Sequence, residues 1–328
     1  MLGKKVFRRL GPFTSAALIG SVLVGSESGA TRSGSKSYEF AYRVSVQHIP
    51  RQAKRLELWI PAPQDDERQS VSLLQIASPY KCREIMDPQY GNRAYYLDIS
   101  SLLPDSLPVS LTFRVRRFEA GPLPSSVAES NAALKRFLEP DSLVPIDGSI
   151  AREADAVAGH LRGSRTRARA LYDHILATTR YDKSGTGWGQ GDAIFACTER
   201  RGNCTDIHSL LIGMARSLGI PSRFTMGFPV PDGLRFGEIS GYHCWVDLYF
   251  DGEGWVPIDA SEAIKHPDKA DYFFGALDAD RVAFSTGRDI RLSGDTDSAT
   301  VNYFIHPHVL VDGRPYADVV LRCEFRVL

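Results

Sequence analysis

The spacing of apolar residues changes once along this chain, and that change limits what it can fold into. From Tyr38 apolar residues fall at every second position: Phe40, Tyr42, Val44 and Val46 alternate with Ala41, Arg43 and Ser45. Leu56, Leu58 and Ile60 alternate with Glu57 and Trp59 until Pro61 stops the run. Tyr95, Leu97 and Ile99 follow a Gly91-Asn92 turn, and Leu111, Phe113 and Val115 alternate with Thr112 and Arg114. Successive side chains of a strand point to opposite faces, so short runs of period two bounded by Pro, Gly and Asp predict an antiparallel β-sandwich-like domain over residues 36–120. Gly121-Pro122-Leu123-Pro124-Ser125-Ser126 ends that pattern.

After the break the spacing becomes helical over 126–138, 149–161 and 164–180. Residues 204–218 form the strongest helical signal. Ile207, Leu210, Leu211, Met214 and Leu218 share a face, Gly219 supplies the stop, and Pro221 prevents an immediate restart. Strand-like runs follow at 222–228, 242–250 and 255–259. The end of the chain alternates again around Asp312-Gly313, as a hairpin. The expected class is therefore α+β: a β domain over 36–120, a mixed domain over 126–290 and a C-terminal β segment over 291–328.

Charge excludes one class of partner. The chain has 39 basic and 39 acidic residues, so nothing draws it to a polyanion, and no nucleic acid is expected. The basic run from Arg162 to Arg169 reads as a solvated helix face. The N-terminus is organised differently. Lys4, Lys5, Arg8 and Arg9 precede an uncharged, weakly apolar stretch from Phe13 to Gly25, and Ser28-Gly29-Ala30 provides small residues for cleavage. That anatomy predicts a signal peptide over 1–30 and export to the periplasm or exterior. An apolar run of about 13 residues is short of the ~20 that a spanning helix needs, so no stable membrane span is expected. Five cysteines leave at least one thiol unpaired in an exported chain; how Cys82, Cys197, Cys244 and Cys323 might pair is open.

That odd thiol has a candidate role. In Gly202-Asn203-Cys204-Thr205-Asp206 the cysteine stands where a loop becomes a helix. Unpaired N–H groups and the helix dipole favour an anion there, and the same setting lowers a thiol pKa. Gly202 leaves room for close approach, and the Cys204 N–H can serve an oxyanion. A base is available in His243, first of the inward candidates of a strand in Gly241-Tyr242-His243-Cys244-Trp245. The turn Asp251-Gly252-Glu253-Gly254 returns the chain to Trp255-Val256-Pro257-Ile258-Asp259. A three-residue loop pairs Phe250 with Gly254 and makes Asp259 a diagonal neighbour of His243 on one face. A four-residue loop sends Asp259 to the other face.

Three segments also carry a family resemblance. Arg200 to Arg223, with Gly202, Cys204, Asp206, Leu210, Ala215-Arg216 and Gly219-Ile220-Pro221, resembles the core motif of the transglutaminase-like superfamily. So do Gly241-Tyr242-His243-Cys244-Trp245-Val246-Asp247 and Gly254-Trp255-Val256-Pro257-Ile258-Asp259-Ala260-Ser261. The resemblance implies a papain-like cysteine acyl-transfer fold with Cys204 as nucleophile, His243 as base and Asp259 as orienter, acting on a peptide or protein substrate through a thioester without a cofactor. Ala260-Ser261 stands where Pro-Thr is commoner in that family. Trp188, in the glycine-rich loop Gly185–Gly191, is a candidate second oxyanion donor. Arg216 and Arg223 read as structural, Asp206 as a first-turn acid and His208 as a packed side chain.

Two rival readings use the same residues. A peptide- or cell-wall-binding module could keep the scaffold without chemistry. A metal enzyme could use Cys204, His208, His243 and Cys244, although consecutive strand residues face opposite ways. No G-x-S-x-G, H-E-x-x-H or P-loop pattern occurs.

Overall fold

The computed structural model describes residues 34–100, 102–121, 130–294 and 298–328. The expected signal peptide over 1–30 lies outside them, as do residues 122–126 of the predicted break. The period-two region forms β1 (Ser35–Val46), β2 (Leu56–Pro61), β3 (Gln69–Ala77), β4 (Arg83–Met86), β5 (Arg93–Ile99) and β6 (Leu107–Phe118). The middle of the chain supplies α1 (Asn131–Lys135), α2 (Gly148–Ala154), α3 (Ser164–Thr178), β7 (Arg180–Tyr181), α4 (Ala193–Glu199), β8 (Arg201–Gly202) and α5 (Cys204–Ser217). Then come β9 (Ser222–Pro229), β10 (Phe236–Ile239), β11 (His243–Phe250), β12 (Gly254–Ile258), α6 (Ala260–Lys265) and β13 (Arg281–Thr286). The last elements are β14 (Ile290–Ser293), β15 (Ser298–Val301), β16 (His308–Val311), β17 (Arg314–Pro315) and β18 (Val319–Val327).

Two five-stranded sheets make a sandwich, in the orders β10-β18-β1-β6-β3 and β17-β16-β2-β5-β4. The alternation of β1 is visible in its burial: Tyr38, Phe40, Tyr42, Val44 and Val46 are all inside. Phe40 lies opposite Phe113 across the β1–β6 ladder, and their rings stack at 5.4 Å. Each sheet is completed by strands from the far end of the chain, β18 beside β1 and β16 beside β2, so residues 33–328 form one compact unit. Pairing thus crosses the boundaries drawn at 120 and 291. Those joins are pairings between residues hundreds of positions apart, which local spacing does not record.

The alternation of β2 predicts one wet face, but all six residues are buried. The outer face carries Trp59, whose ring lies tilted against Tyr96 at 4.9 Å and packs with Ile290 and Leu292 of the β14–β15 hairpin. Glu57, buried with it, accepts a hydrogen bond from Tyr96 Oη at 2.5 Å.

A four-stranded sheet, β12-β11-β9-β13, packs against α5. Asn203 caps this helix, accepting from Thr205 N at 2.9 Å and Asp206 N at 3.4 Å, while Asp206 Oδ2 accepts from Asn203 N at 3.0 Å. Gly219, at φ +78°, follows its C-terminus. The sequence predicts a helix with one apolar face, yet every residue from Cys204 to Arg216 is buried. The polar face is covered by α2, α3, α4 and α6, and its hydroxyls are matched: Ser209 donates to Thr205 O at 2.7 Å and accepts from Arg288 Nη1 at 2.6 Å. Among the described residues no helix is long and apolar enough to cross a membrane.

Candidate active site

Cys204 opens α5, His243 opens β11, and Asp259 follows β12 as the N-cap of α6. The β11–β12 loop takes the three-residue form, with Phe250 opposite Gly254 and Val246 opposite Ile258. The strand expected over 255–259 ends at Ile258. Asp259 leaves the ladder, and its Oδ1 accepts from Glu262 N at 2.9 Å and Ser261 Oγ at 3.0 Å. Its Oδ2 lies 2.7 Å from His243 Nε2. That contact leaves Nδ1 as the ring nitrogen for Cys204, to which His243 is also hydrogen-bonded. The structure therefore brings the three sequence-predicted residues together.

All three are buried, with Cys204 2%, His243 5% and Asp259 0% exposed, so their charges act at low dielectric. A hydrogen bond from Cys244 holds the Cys204 thiol well below its usual pKa, and the hydrogen bond and charge of His243 add to this against the cost of burial. The partner thiol moves the opposite way: burial, then the Cys204 charge, push Cys244 up. For His243, burial works downward, but the Asp259 charge and the hydrogen bonds to Asp259 and Cys204 outweigh it and raise the pKa to about 10. Asp259 is held well below the carboxylate range; burial opposes this, and His243, His208 and Arg281 overcome it. Both shifts favour a thiolate beside an imidazolium over the neutral pair, with the Asp259 carboxylate against the ring.

Four supporting residues were not singled out for these tasks in the sequence. Arg281 is buried and donates from Nη1 to Asp259 Oδ2 at 2.8 Å and from Nη2 to Asp278 at 2.8 Å. It comes from β13, 22 positions after Asp259, where no motif marks it. His208 is more than packing: Nε2 accepts from Ala260 N at 3.1 Å, and Nδ1 lies 3.3 Å from Cys244 Sγ. Its i, i+4 relation to Cys204 was the available signal. Asp206 is more than a first-turn acid, because it also accepts from Gly189 N at 2.6 Å and Gly191 N at 2.8 Å, tying the glycine-rich loop to the start of α5. Gly202 serves that same clamp. At φ +154° its added Cβ would stand 2.6 Å from Asp206 Cβ, so the room it leaves is filled by Asp206.

The indole N–H of Trp188 donates to Gly185 O at 3.2 Å, and its ring lies 5.9 Å from Lys183 Nζ. Arg216 is structural, donating to Glu139 O, Asp141 Oδ2 and Ser222 O at 2.7 to 2.9 Å. All five cysteines are free thiols. Among the described residues the potential metal ligands within 4.8 Å of one another are those of His243, Asp259 and Glu262. That set differs from the Cys204, His208, His243 and Cys244 set of the metal reading.

Comparison with known proteins bears on the same segment. Residues 151–260, which hold Cys204, His243 and Asp259, match the Transglutaminase-like superfamily. This segment belongs to that superfamily. A solved structure from Cytophaga hutchinsonii, named as a candidate cysteine protease, shares the fold at a TM-score of 0.57 and 19% identity, covering 90% of this chain and 99% of that one. An uncharacterized protein of Haemophilus influenzae is 24% identical over 85% of this chain and 86% of its own length. Another, ML0607 of Mycobacterium leprae, is 28% identical over 42% of this chain and 50% of its own. The transglutaminase-like fold is that of a cysteine-dependent enzyme superfamily.

Proposed function

We propose that this chain is a cysteine acyl-transfer enzyme that cleaves amide bonds of peptides or proteins through a thioester, with water as the acceptor. The observation that carries the reading is the chain of contacts from the Cys204 thiol through His243 to Asp259, the His–Asp link measuring 2.7 Å. The Cys204 thiolate attacks the amide carbonyl carbon, and the tetrahedral oxyanion rests on the Cys204 N–H at the start of α5. His243 passes its proton to the leaving amine, and the C–N bond breaks to give the thioester. His243 then takes a proton from water, which attacks the thioester and releases the acid and the thiolate. Asp259 orients the ring and stabilises its charged form, and Arg281 holds Asp259.

Hydrolysis is taken over cross-linking because water needs no acceptor site of its own beside Cys204. The protease name of the Cytophaga hutchinsonii relative accords with a protein substrate. Export over residues 1–30 belongs to the same reading, since a periplasmic or extracellular enzyme would meet such substrates outside the cytoplasm. The test is turnover of a fluorogenic peptide mixture together with acid-quench mass spectrometry of Cys204. Turnover with an acyl adduct on Cys204, both absent in C204A, is expected. Peptide binding that survives C204A, with no turnover or adduct in the parent, would instead favour the binding module.

A further inference from the structure

A cavity lies behind the β12-β11-β9-β13 sheet. Cys244 faces α5, where its sulfur meets His208, so Trp245 and Asp247 on the same strand face the other way. There they line a cavity of about 460 Å³ closed on its far side by Arg68 and Arg117 from the sandwich. Arg117 is 1% exposed. Its guanidinium sits 5.6 Å from the Trp245 ring, and the carboxylate of Asp66 stands 3.7 Å from Nη1, beyond hydrogen-bond distance.

The Nε and Nη1 atoms of Arg117 have no hydrogen-bond partner among the described residues. Arg68 Nε is likewise without a hydrogen-bond partner, but its guanidinium is ion-paired. Arg68 and Arg223 share Asp247, Arg223 reaching it at 3.1 Å, and Arg281 is held by two aspartates. A buried charged donor without an acceptor is strongly unfavourable, and native interiors rarely tolerate one. Burial pushes the pKa of Arg117 down to about 10, so it remains a cation at neutral pH.

We propose that this cavity binds a small organic anion whose carboxylate or phosphoryl oxygens accept from Arg117 Nε and Nη1. A cavity of about 460 Å³ is in the range of small-molecule sites and exceeds what a bare inorganic ion fills. Tyr90, Phe137 and Trp245 provide apolar wall for a carbon body, and the lining sets four arginines, Arg68, Arg117, Arg136 and Arg223, against three carboxylates, Asp66, Glu67 and Asp247. The site also touches the catalytic centre from behind. Trp245 carries Arg117 at 5.6 Å and Arg281 at 5.3 Å, and Arg281 holds Asp259. The anion site stands on these contacts alone and does not depend on the acyl-transfer reading.

Thermal unfolding with sodium succinate or sodium phosphate, against sodium chloride at equal ionic strength, tests it. At about 20 mM anion the wild type and the surface control Arg43→Met should both gain roughly 3 °C or more, and Arg117→Met should gain nothing beyond chloride. A larger response to succinate assigns a carboxylate; a larger response to phosphate assigns a phosphoryl group. The indole N–H NMR signal of Trp245 in the wild type should move and saturate over the same titration, which reports the site even if Arg117→Met fails to fold. The proposal is overturned if wild type gains no more than with chloride, if Arg117→Met responds like wild type, or if the Trp245 signal does not move.

Discussion

Replacing Asp206 by Asn removes the charge from the clamp that joins the glycine-rich loop to the nucleophile's helix. Its Oδ2 accepts from Gly189 N at 2.6 Å and Asn203 N at 3.0 Å, and its Oδ1 accepts from Gly191 N at 2.8 Å. An asparagine keeps one acceptor oxygen and turns an NH2 towards the other donors. One or two buried N–H groups then lose their acceptor, at about 1–3 kcal/mol each. Burial raises the pKa of Asp206 despite these three N–H groups, so the native carboxylate already carries a cost that Asn avoids. The net loss is therefore expected near the lower end, about 2 kcal/mol, or roughly 4–8 °C in midpoint. Urea unfolding followed by tryptophan fluorescence measures the first quantity. Trypsin cleavage at the exposed Lys183 measures release of the loop, and it should speed up in D206N. An unchanged midpoint with unchanged cleavage would refute the clamp.

Three further substitutions probe the site and its support. Asp259→Asn should leave a folded protein, since Asn can still accept at the α6 cap, but lower kcat by about 10²- to 10⁴-fold in a peptide-cleavage assay. Arg281→Met strips a buried partner from Asp259 and Asp278 and is expected to cost about 3–5 kcal/mol in chemical denaturation. Gly227→Ala places a Cβ 2.1 Å from Val282 O and 2.8 Å from the Trp245 ring, so β9 and β13 must part; about 2–3 kcal/mol should be lost in the same measurement.

Much of the site was legible because its parts sit at element ends that short motifs describe. The loop-to-helix change at Gly202-Asn203-Cys204 and the Gly219 stop bracket α5 in the sequence, and Gly254 marks the return of the hairpin. The register was not legible: a three-residue loop over 251–253 and a four-residue loop over 251–254 fit the sequence equally, and they place Asp259 on opposite faces. The contact with His243 also arises differently from the cross-strand neighbour first expected, since Asp259 reaches it from a helix cap after the ladder ends. Arg281 and the closing strands β16 and β18 were hidden for a common reason. Each makes its contribution through a partner distant in sequence, and neither spacing nor composition specifies such a partner. The burial of β2 on both faces and of α5 on all sides follows from the same long-range covering.

The thiolate–imidazolium pair can be read directly from the pH dependence of Cys204 alkylation by iodoacetamide, followed by peptide mass spectrometry in wild type and His243→Ala. Cys204 is lowered and His243 raised to about 10, so the pair persists between those two values and its imidazolium is lost as pH rises through about 10. Wild-type alkylation should stay fast from well below pH 7 upward, whereas in His243→Ala its onset should move up towards the pH of about 8.5 at which an unassisted thiol ionises, the Cys244 hydrogen bond keeping part of the depression. If both proteins follow one limb near pH 8.5, with Cys204 no more reactive than Cys82 in either, His243 does not activate this thiol.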